Sequence, residues 1–243
     1  MLVLKIIGYV LLAIVAVILL FLAFLGVIAL AVDPKKEYNT HSRFYRTMLN
    51  FCTDVVMWLG NIHFEVEGAE KIPASGRIMM VSNHKSNYDP LICWDVFKQY
   101  DLAFISKEAN FHIPFFGRMI RKCCFMSVDR ENARNALETV NRAIGLLNND
   151  TVSIAAYPEG TRNKNPGYSL LPFRPGLFKV AQKAGVPIVV ITMKGTPEIR
   201  YLIKRNVVRI HVLEVIDAET VKSTRTADLA ERIAAEMEAD LAA

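Results

Sequence analysis

The chain has 243 residues, 52% of them apolar and 22% charged, and its 29 basic and 24 acidic side chains give a formal net charge of +5. That excess is too small and too evenly spread for a nucleic-acid-binding protein, and it suits an anionic membrane surface or an anionic substrate. After residue 32 no apolar run approaches the ~18–20 residues that a membrane span needs, which excludes a polytopic transporter or channel.

The mean hydropathy of +0.24 is high for a chain of this size. Its source is local: 29 of the first 32 residues are apolar, and the remainder is about 46% apolar, an ordinary globular value. The 27 residues from Ile6 to Val32 carry no charge, and at ~1.5 Å per residue a helix of that length reaches ~40 Å, more than the hydrocarbon core of a bilayer. A cleavable signal peptide would have an apolar region of only ~7–15 residues and a small-residue cleavage site, so a retained anchor is expected. Lys5 precedes the run, whereas Lys35, Lys36, Arg43 and Arg46 follow it, which places the following chain on the cytoplasmic face of the cell membrane.

Residues 43–59 form the next segment, with Phe44, Met48, Phe51, Cys52, Val55, Val56 and Leu59 at helical spacing. This amphipathic helix either packs its stripe on the rest of the protein or lies in the headgroup plane beside the anchor. In the second case residues 1–60 form a two-helix membrane dock, and one-sided insertion competes with a true span.

Residues 61–243 show no repeat, low-complexity tract or flexible linker and read as one domain. Strands are predicted at 63–67, 78–82, 102–106, 124–128, 152–157, 186–192 and 207–216, and helices at 90–98, 131–148, 176–184 and 227–242. The alternation indicates an α/β sandwich, a mixed sheet flanked by helices, whose ligands bind beyond strand ends.

The strand at 78–82 runs into Asn83, His84 and, five residues after His84, Asp89-Pro90. Residues five apart face different ways on a helix or a strand, so His84 and Asp89 meet only across a tight turn. Asp89-Pro90 resembles a helix N-cap followed by proline at the first helical position, which makes strand, turn and helix the natural context. A carboxylate that holds an imidazole in this way fixes its tautomer and supports proton removal from a hydroxyl. Taken alone, the pair reads more simply as a capping Asp and a satisfied turn histidine, and the motifs that follow overturn that.

After the strand at 152–157 come Pro158, Glu159, Gly160, Thr161 and Arg162. Gly160 can take positive φ and turn the chain, and the Arg162 guanidinium matches a phosphate oxygen pair. Lys107 and Arg130 also end strands, so Lys107, Arg130 and Arg162 form a candidate phosphate cage, although each alone could be a solvated charge. Cys52, Cys93, Cys123 and Cys124 make no C-x-x-C pair, and His41, His63, His112 and His211 lack metal-ligand spacing, so reduced thiols and no metal are expected. The absence of a G-x-S-x-G elbow argues against a covalent enzyme intermediate.

Four blocks, in order, carry a resemblance to a known family: Asn83-His84 with Asp89, Phe125 to Arg130, Glu159-Gly160-Thr161-Arg162, and Val186-Pro187-Ile188-Val189. The chain resembles the glycerolipid acyltransferases, and among them the bacterial 1-acyl-glycerol-3-phosphate acyltransferases. It departs from the pattern at Ser127, where an aromatic is usual, and at Val190-Ile191, where a second proline is frequent. The resemblance implies acyl transfer, without a cofactor, from acyl-CoA or acyl carrier protein to the free hydroxyl of lysophosphatidic acid drawn from the membrane lipids. It makes His84 the general base and Asp89 its orienter. Lys107, Arg130 and Arg162 become phosphate ligands, with Glu159, Gly160 and Thr161 completing the substrate site. Another lysolipid acceptor and a non-catalytic lipid-binding protein are the competing expectations.

Overall fold

A seven-stranded sheet carries the fold, and its order was not legible in the sequence. The computed structural model describes residues 1–129, 132–199 and 204–243. In chain order the elements are α1 (Leu2–Leu30), α2 (Arg43–Leu59), β1 (Ile62–Glu67), β2 (Met79–Ser82), α3 (Tyr88–Val96), β3 (Leu102–Lys107), α4 (Phe116–Lys122) and β4 (Met126–Val128). They continue with α5 (Ala133–Asn148), β5 (Ser153–Ala156), α6 (Lys179–Ala184), β6 (Ile188–Lys194), β7 (Asn206–Ile216), α7 (Ala218–Ser223) and α8 (Thr226–Ala242). The expected mixed α/β architecture is what forms. The short helices α4 and α7 were not anticipated. Seven residues of α4 are too few to show a period, and that helix is held by burying Gly117, Met119 and Ile120.

The strands lie in the order β1-β7-β6-β2-β5-β3-β4. Within it β6, β2, β5, β3 and β4 are mutually parallel, β7 runs antiparallel to β6, and β1 is parallel to β7. Parallel neighbours need crossovers, which α3, α4, α5 and α6 supply. The central strands are covered on both faces, so they read as continuous apolar runs: Ile188, Val189, Val190 and Ile191 of β6 are all fully buried. Each contributes roughly 1.5–3 kcal/mol by leaving water. The consequence for function is geometric. Because five strands run the same way, the segments that follow β2, β3, β4 and β5 all emerge at one edge.

The N-terminal helices attach at one end. Only Leu25 and Ala29 of α1 are buried, and the helix is long and apolar enough to cross a membrane. Its last carbonyls lack intrahelical donors. Tyr45 Oη donates to Ile28 O at 2.8 Å, and Arg118 Nη1 donates to Ala29 O and Val32 O at 3.2 Å each. The buried side of α2 is Tyr45, Arg46, Leu49, Thr53 and Met57, against α3, α4 and β1. The stripe read from the sequence is offset from this face: Phe44, Phe51 and Leu59 are exposed, as is Trp58 at 79%. Phe51 meets Phe21 of α1 edge-on at 5.6 Å, so the exposed apolar faces of the two helices adjoin.

Where α2 meets α3, Asp95 sits beside Asp54, with Lys98 Nζ 3.7 Å from Asp95 and 3.3 Å from Asp54. Burial, and then the neighbouring Asp54, push the Asp95 carboxyl up to about 6. The folded chain therefore holds this proton more tightly than the unfolded one. The stabilisation is complete below the ordinary carboxylate range and is lost as pH rises towards about 6. Asp95→Asn should flatten the fall in Tm between pH 4.5 and 7; an unchanged Tm profile in thermal melts would contradict this origin.

Candidate active site

The turn after β2 is built around one carboxylate. Asp89 Oδ2 lies 2.8 Å from His84 Nδ1 and also accepts the backbone N–H groups of Lys85 at 2.6 Å and Ser86 at 2.7 Å. The Asp89 side chain is 1% exposed and that of His84 15%. Asp89 is not the helix cap read from the sequence. The helix begins earlier, at Tyr88 after Asn87, and the Asp89 carboxylate points back at the turn to satisfy its amides. With Nδ1–H committed to Asp89, Nε2 keeps the lone pair, the tautomer a general base requires.

Two further residues steady the turn and its imidazole, Asn83 and Tyr157. Asn83 is buried and clamps the turn to β6, its Nδ2 donating to Met193 O at 2.9 Å while Met193 N donates to its Oδ1 at 2.8 Å. The Tyr157 ring, at the end of β5, stacks on His84 at 4.2 Å and 18°. Behind Tyr157 the stack continues through Phe104 at 6.3 Å to Phe125, which leans on Trp94.

Glu159, 3% exposed, braces two loops. Its Oε1 accepts His84 N at 2.7 Å and its Oε2 accepts Leu171 N at 2.9 Å, while Asn163 N donates to His84 O at 2.7 Å. Burial raises the Glu159 carboxyl above its ordinary value, and the two backbone donors oppose that rise. Among the described residues Glu159 makes no salt bridge, the simpler possibility for an acid in a loop. Gly160 has φ +71°, and a Cβ there would fall 2.5 Å from Arg174 Nε, so the missing side chain serves both the turn and the arginine laid across it.

His84 lines a cavity of about 880 Å³ with two kinds of wall. Leu49 and Val56 of α2, Leu91 of α3, Phe104 of β3, Phe125 and Val140 of α5 form apolar surface. Lys107, Arg162, Arg174 and Lys179 supply positive charge, with Gly160 and Thr161 alongside. Among the described residues none of these four cations makes a side-chain hydrogen bond or ion pair, whereas Arg77, Arg142, Arg209, Arg225 and Arg232 elsewhere are paired. Unpaired cations converging on one cavity favour an anionic ligand. Lys107, Gly160, Thr161 and Arg162 thus share the cavity with His84, while Glu159 lies beneath it. Arg130 falls outside the described residues.

Comparison with known proteins gives the chain a family. The acyltransferase family profile matches residues 63–194, which hold His84, Asp89 and the Glu159–Arg162 loop. The chain belongs to the acyltransferase family. It is 33% identical over 148 residues to a 1-acyl-sn-glycerol-3-phosphate acyltransferase of Haemophilus influenzae, a match spanning 58% of this chain and 60% of that one. With the enzyme of the same name from Salmonella typhimurium it shares 30% identity over 169 residues, 69% of this chain and 68% of the relative. The crystal structure of the 1-acyl-sn-glycerophosphate (LPA) acyltransferase from Thermotoga maritima superposes with a TM-score of 0.67 at 22% identity, covering 81% and 78% of the two chains, which supports the fold.

Sequence reasoning about this acyltransferase-family chain gave no role to Tyr157, Arg174 or Lys179. The signal for Tyr157 was an aromatic closing an apolar strand directly before the Pro158-Glu159-Gly160 turn. Phe173-Arg174-Pro175-Gly176 stood out only as a turn before a helix, because the approach of Arg174 and Lys179 to the cavity depends on how the loop after β5 folds back over Gly160. Helix α2 likewise lends Leu49, Cys52 and Val56 to the cavity.

Proposed function

We propose that this protein transfers a fatty acyl group from a thioester donor, acyl-CoA or acyl carrier protein, to the sn-2 hydroxyl of 1-acyl-sn-glycerol 3-phosphate, giving phosphatidic acid for phospholipid synthesis. One observation carries the reading: a His84–Asp89 pair opens onto a cavity that combines apolar walls with cations unpaired among the described residues. His84 Nε2 removes the acceptor hydroxyl proton as the oxygen attacks the thioester carbon. The C–S bond then breaks, and the departing thiolate takes the proton from the His84 imidazolium, while Asp89 holds the ring and balances its charge. Lys107 and Arg162, with Arg130 by its place in sequence, hold the acceptor phosphate. Gly160 and Thr161 shape the acceptor site, and Glu159 keeps the two loops in register.

Residues 1–60 act as the membrane dock and residues 61–243 as the catalytic domain. Exposed Phe44, Phe51, Trp58 and Leu59 on α2, with the free face of α1, enter the bilayer from its cytoplasmic side. The acceptor then reaches the cavity from the membrane, past the α2 residues that line it.

Activity of the purified protein across acyl-CoA and acyl carrier protein donors, with lysophosphatidic acid, lysophosphatidylcholine and monoacylglycerol acceptors, tests the reading. Transfer to lysophosphatidic acid should dominate, and lipid binding without transfer from any donor would overturn it. Arg162→Ala should lower kcat/KM for lysophosphatidic acid about ten- to hundredfold, the worth of a charge-assisted hydrogen-bond pair, and change the monoacylglycerol rate far less. Equal losses on both acceptors would deny Arg162 the phosphate.

A further inference from the structure

Transfer without a covalent enzyme intermediate requires donor and acceptor in the cavity together. Both bring phosphate: the acceptor as a monoester, the donor on the phosphopantetheine arm common to coenzyme A and acyl carrier protein. One cluster of cations cannot serve two phosphates that flank the reacting carbon, so the cavity needs two.

The fold divides its cations in that way. Lys107 ends β3 and leads through the turn Glu108–His112 into α4, which packs on α1 and α2 and so stands on the membrane side. Arg174 and Lys179 bracket the short turn Pro175–Phe178, which packs on α8 and leads into α6, itself packed on α5 and α7. From α6 the chain enters β6, the neighbour of β2 on the side away from β5 and β3. The two turns therefore pack on different helices, the Lys107 turn leading to α1 and α2 and the Arg174–Lys179 turn to α5, α7 and α8, while both border the cavity that His84 lines.

Arg174 is also placed by more than chance exposure. Its backbone N donates to Pro158 O at 2.9 Å, and its side chain crosses Gly160 so closely that a methyl there would overlap Nε. No acid neutralises it among the described residues, and both Arg174 and Lys179 are exposed at the cavity wall. An exposed cationic rim suits the substrate that arrives through water.

We infer that Arg174 and Lys179 form a second anion subsite, which binds the phosphate of the donor's phosphopantetheine arm, while Lys107 and Arg162 remain with the acceptor phosphate. The assignment rests on the acyl-transfer reading for its meaning, but its test includes binding that needs no turnover.

In equilibrium binding to the full chain in detergent, Arg174→Ala should weaken coenzyme A about ten- to hundredfold and lysophosphatidic acid less than about threefold. In kinetics the same variant should raise KM for acyl-CoA and for acyl carrier protein, with a much smaller effect on an acyl N-acetylcysteamine thioester, which has no phosphate. Lys179→Ala should show the same selectivity, and Arg174→Lys should recover part of the loss because the charge remains. Weaker lysophosphatidic acid binding with coenzyme A unaffected, or equal losses on phosphate-bearing and phosphate-free donors, would overturn the subsite. Selective loss of coenzyme A binding in a protein that transfers no acyl group would keep the subsite and overturn the acyl-transfer reading alone.

Discussion

Replacing His84 by alanine is expected to lower kcat with lysophosphatidic acid by about 10²- to 10⁴-fold, the range a positioned general base supplies, while acceptor KM changes little. The fold should survive, since the imidazole is partly exposed and packs as a surface on Tyr157 rather than filling the core. Asp89→Asn divides orientation from charge. Among the described residues only Oδ2 of Asp89 is occupied, by His84 and two backbone amides, whereas Oδ1 is buried without a hydrogen-bond partner. An asparagine can keep its oxygen at the Oδ2 position and put its amide at Oδ1, so the turn should persist with the negative charge gone. The rate of Asp89→Asn is expected between those of the wild type and His84→Ala, with an unchanged far-ultraviolet dichroism spectrum. A fully active Asp89→Asn would mean that the imidazolium needs no counter-charge, and a fully active His84→Ala would end the general-base assignment.

The second large effect belongs to Glu159, and it should appear in stability as well as rate. Its two oxygens take the amides of His84 and Leu171 in a nearly dry setting, so Glu159→Ala strands two donors. At about 1–3 kcal/mol for each unsatisfied buried group, the chain should lose about 2–6 kcal/mol, and kcat should fall because the His84 backbone loses its brace. Glu159→Gln tests the same point more gently. A glutamine offers one acceptor oxygen and one donor nitrogen where two acceptors are needed, so it can satisfy one amide only and should lie between the wild type and alanine in denaturant midpoint. If both variants unfold at the wild-type midpoint, the brace is not a stabilising element.

Much of this architecture is local and therefore legible in the chain. The uncharged run to Val32, the apolar strands and the periodicity of α5 and α8 each declare themselves within a few turns or a few alternations. The encounter of His84 with Asp89 is nearly local too, since five residues admit only a turn. The misplacement of the α3 cap shows the limit of such reasoning: an Asp before a Pro signals a helix start, but the carboxylate had amides behind it to satisfy, and the helix began one residue before the Asp. In α2 the periodicity was visible but not its phase, because Tyr45, Arg46 and Thr53 are buried by contacts and hydrogen bonds that hydropathy does not register.

The sequence by itself determined that this protein joins one long apolar helix to an α/β domain and sets a histidine, a carboxylate and several cations at strand ends. Those facts follow from composition, periodicity and short spacings. Only the tertiary structure decided that β5 lies between β2 and β3, and hence that Glu159 reaches His84 across 75 residues of chain and Tyr157 stacks on it. It also decided that Arg174 crosses Gly160 into the same cavity. Strand order and loop closure depend on which distant apolar faces bury one another, a property of the folded whole that no short segment encodes.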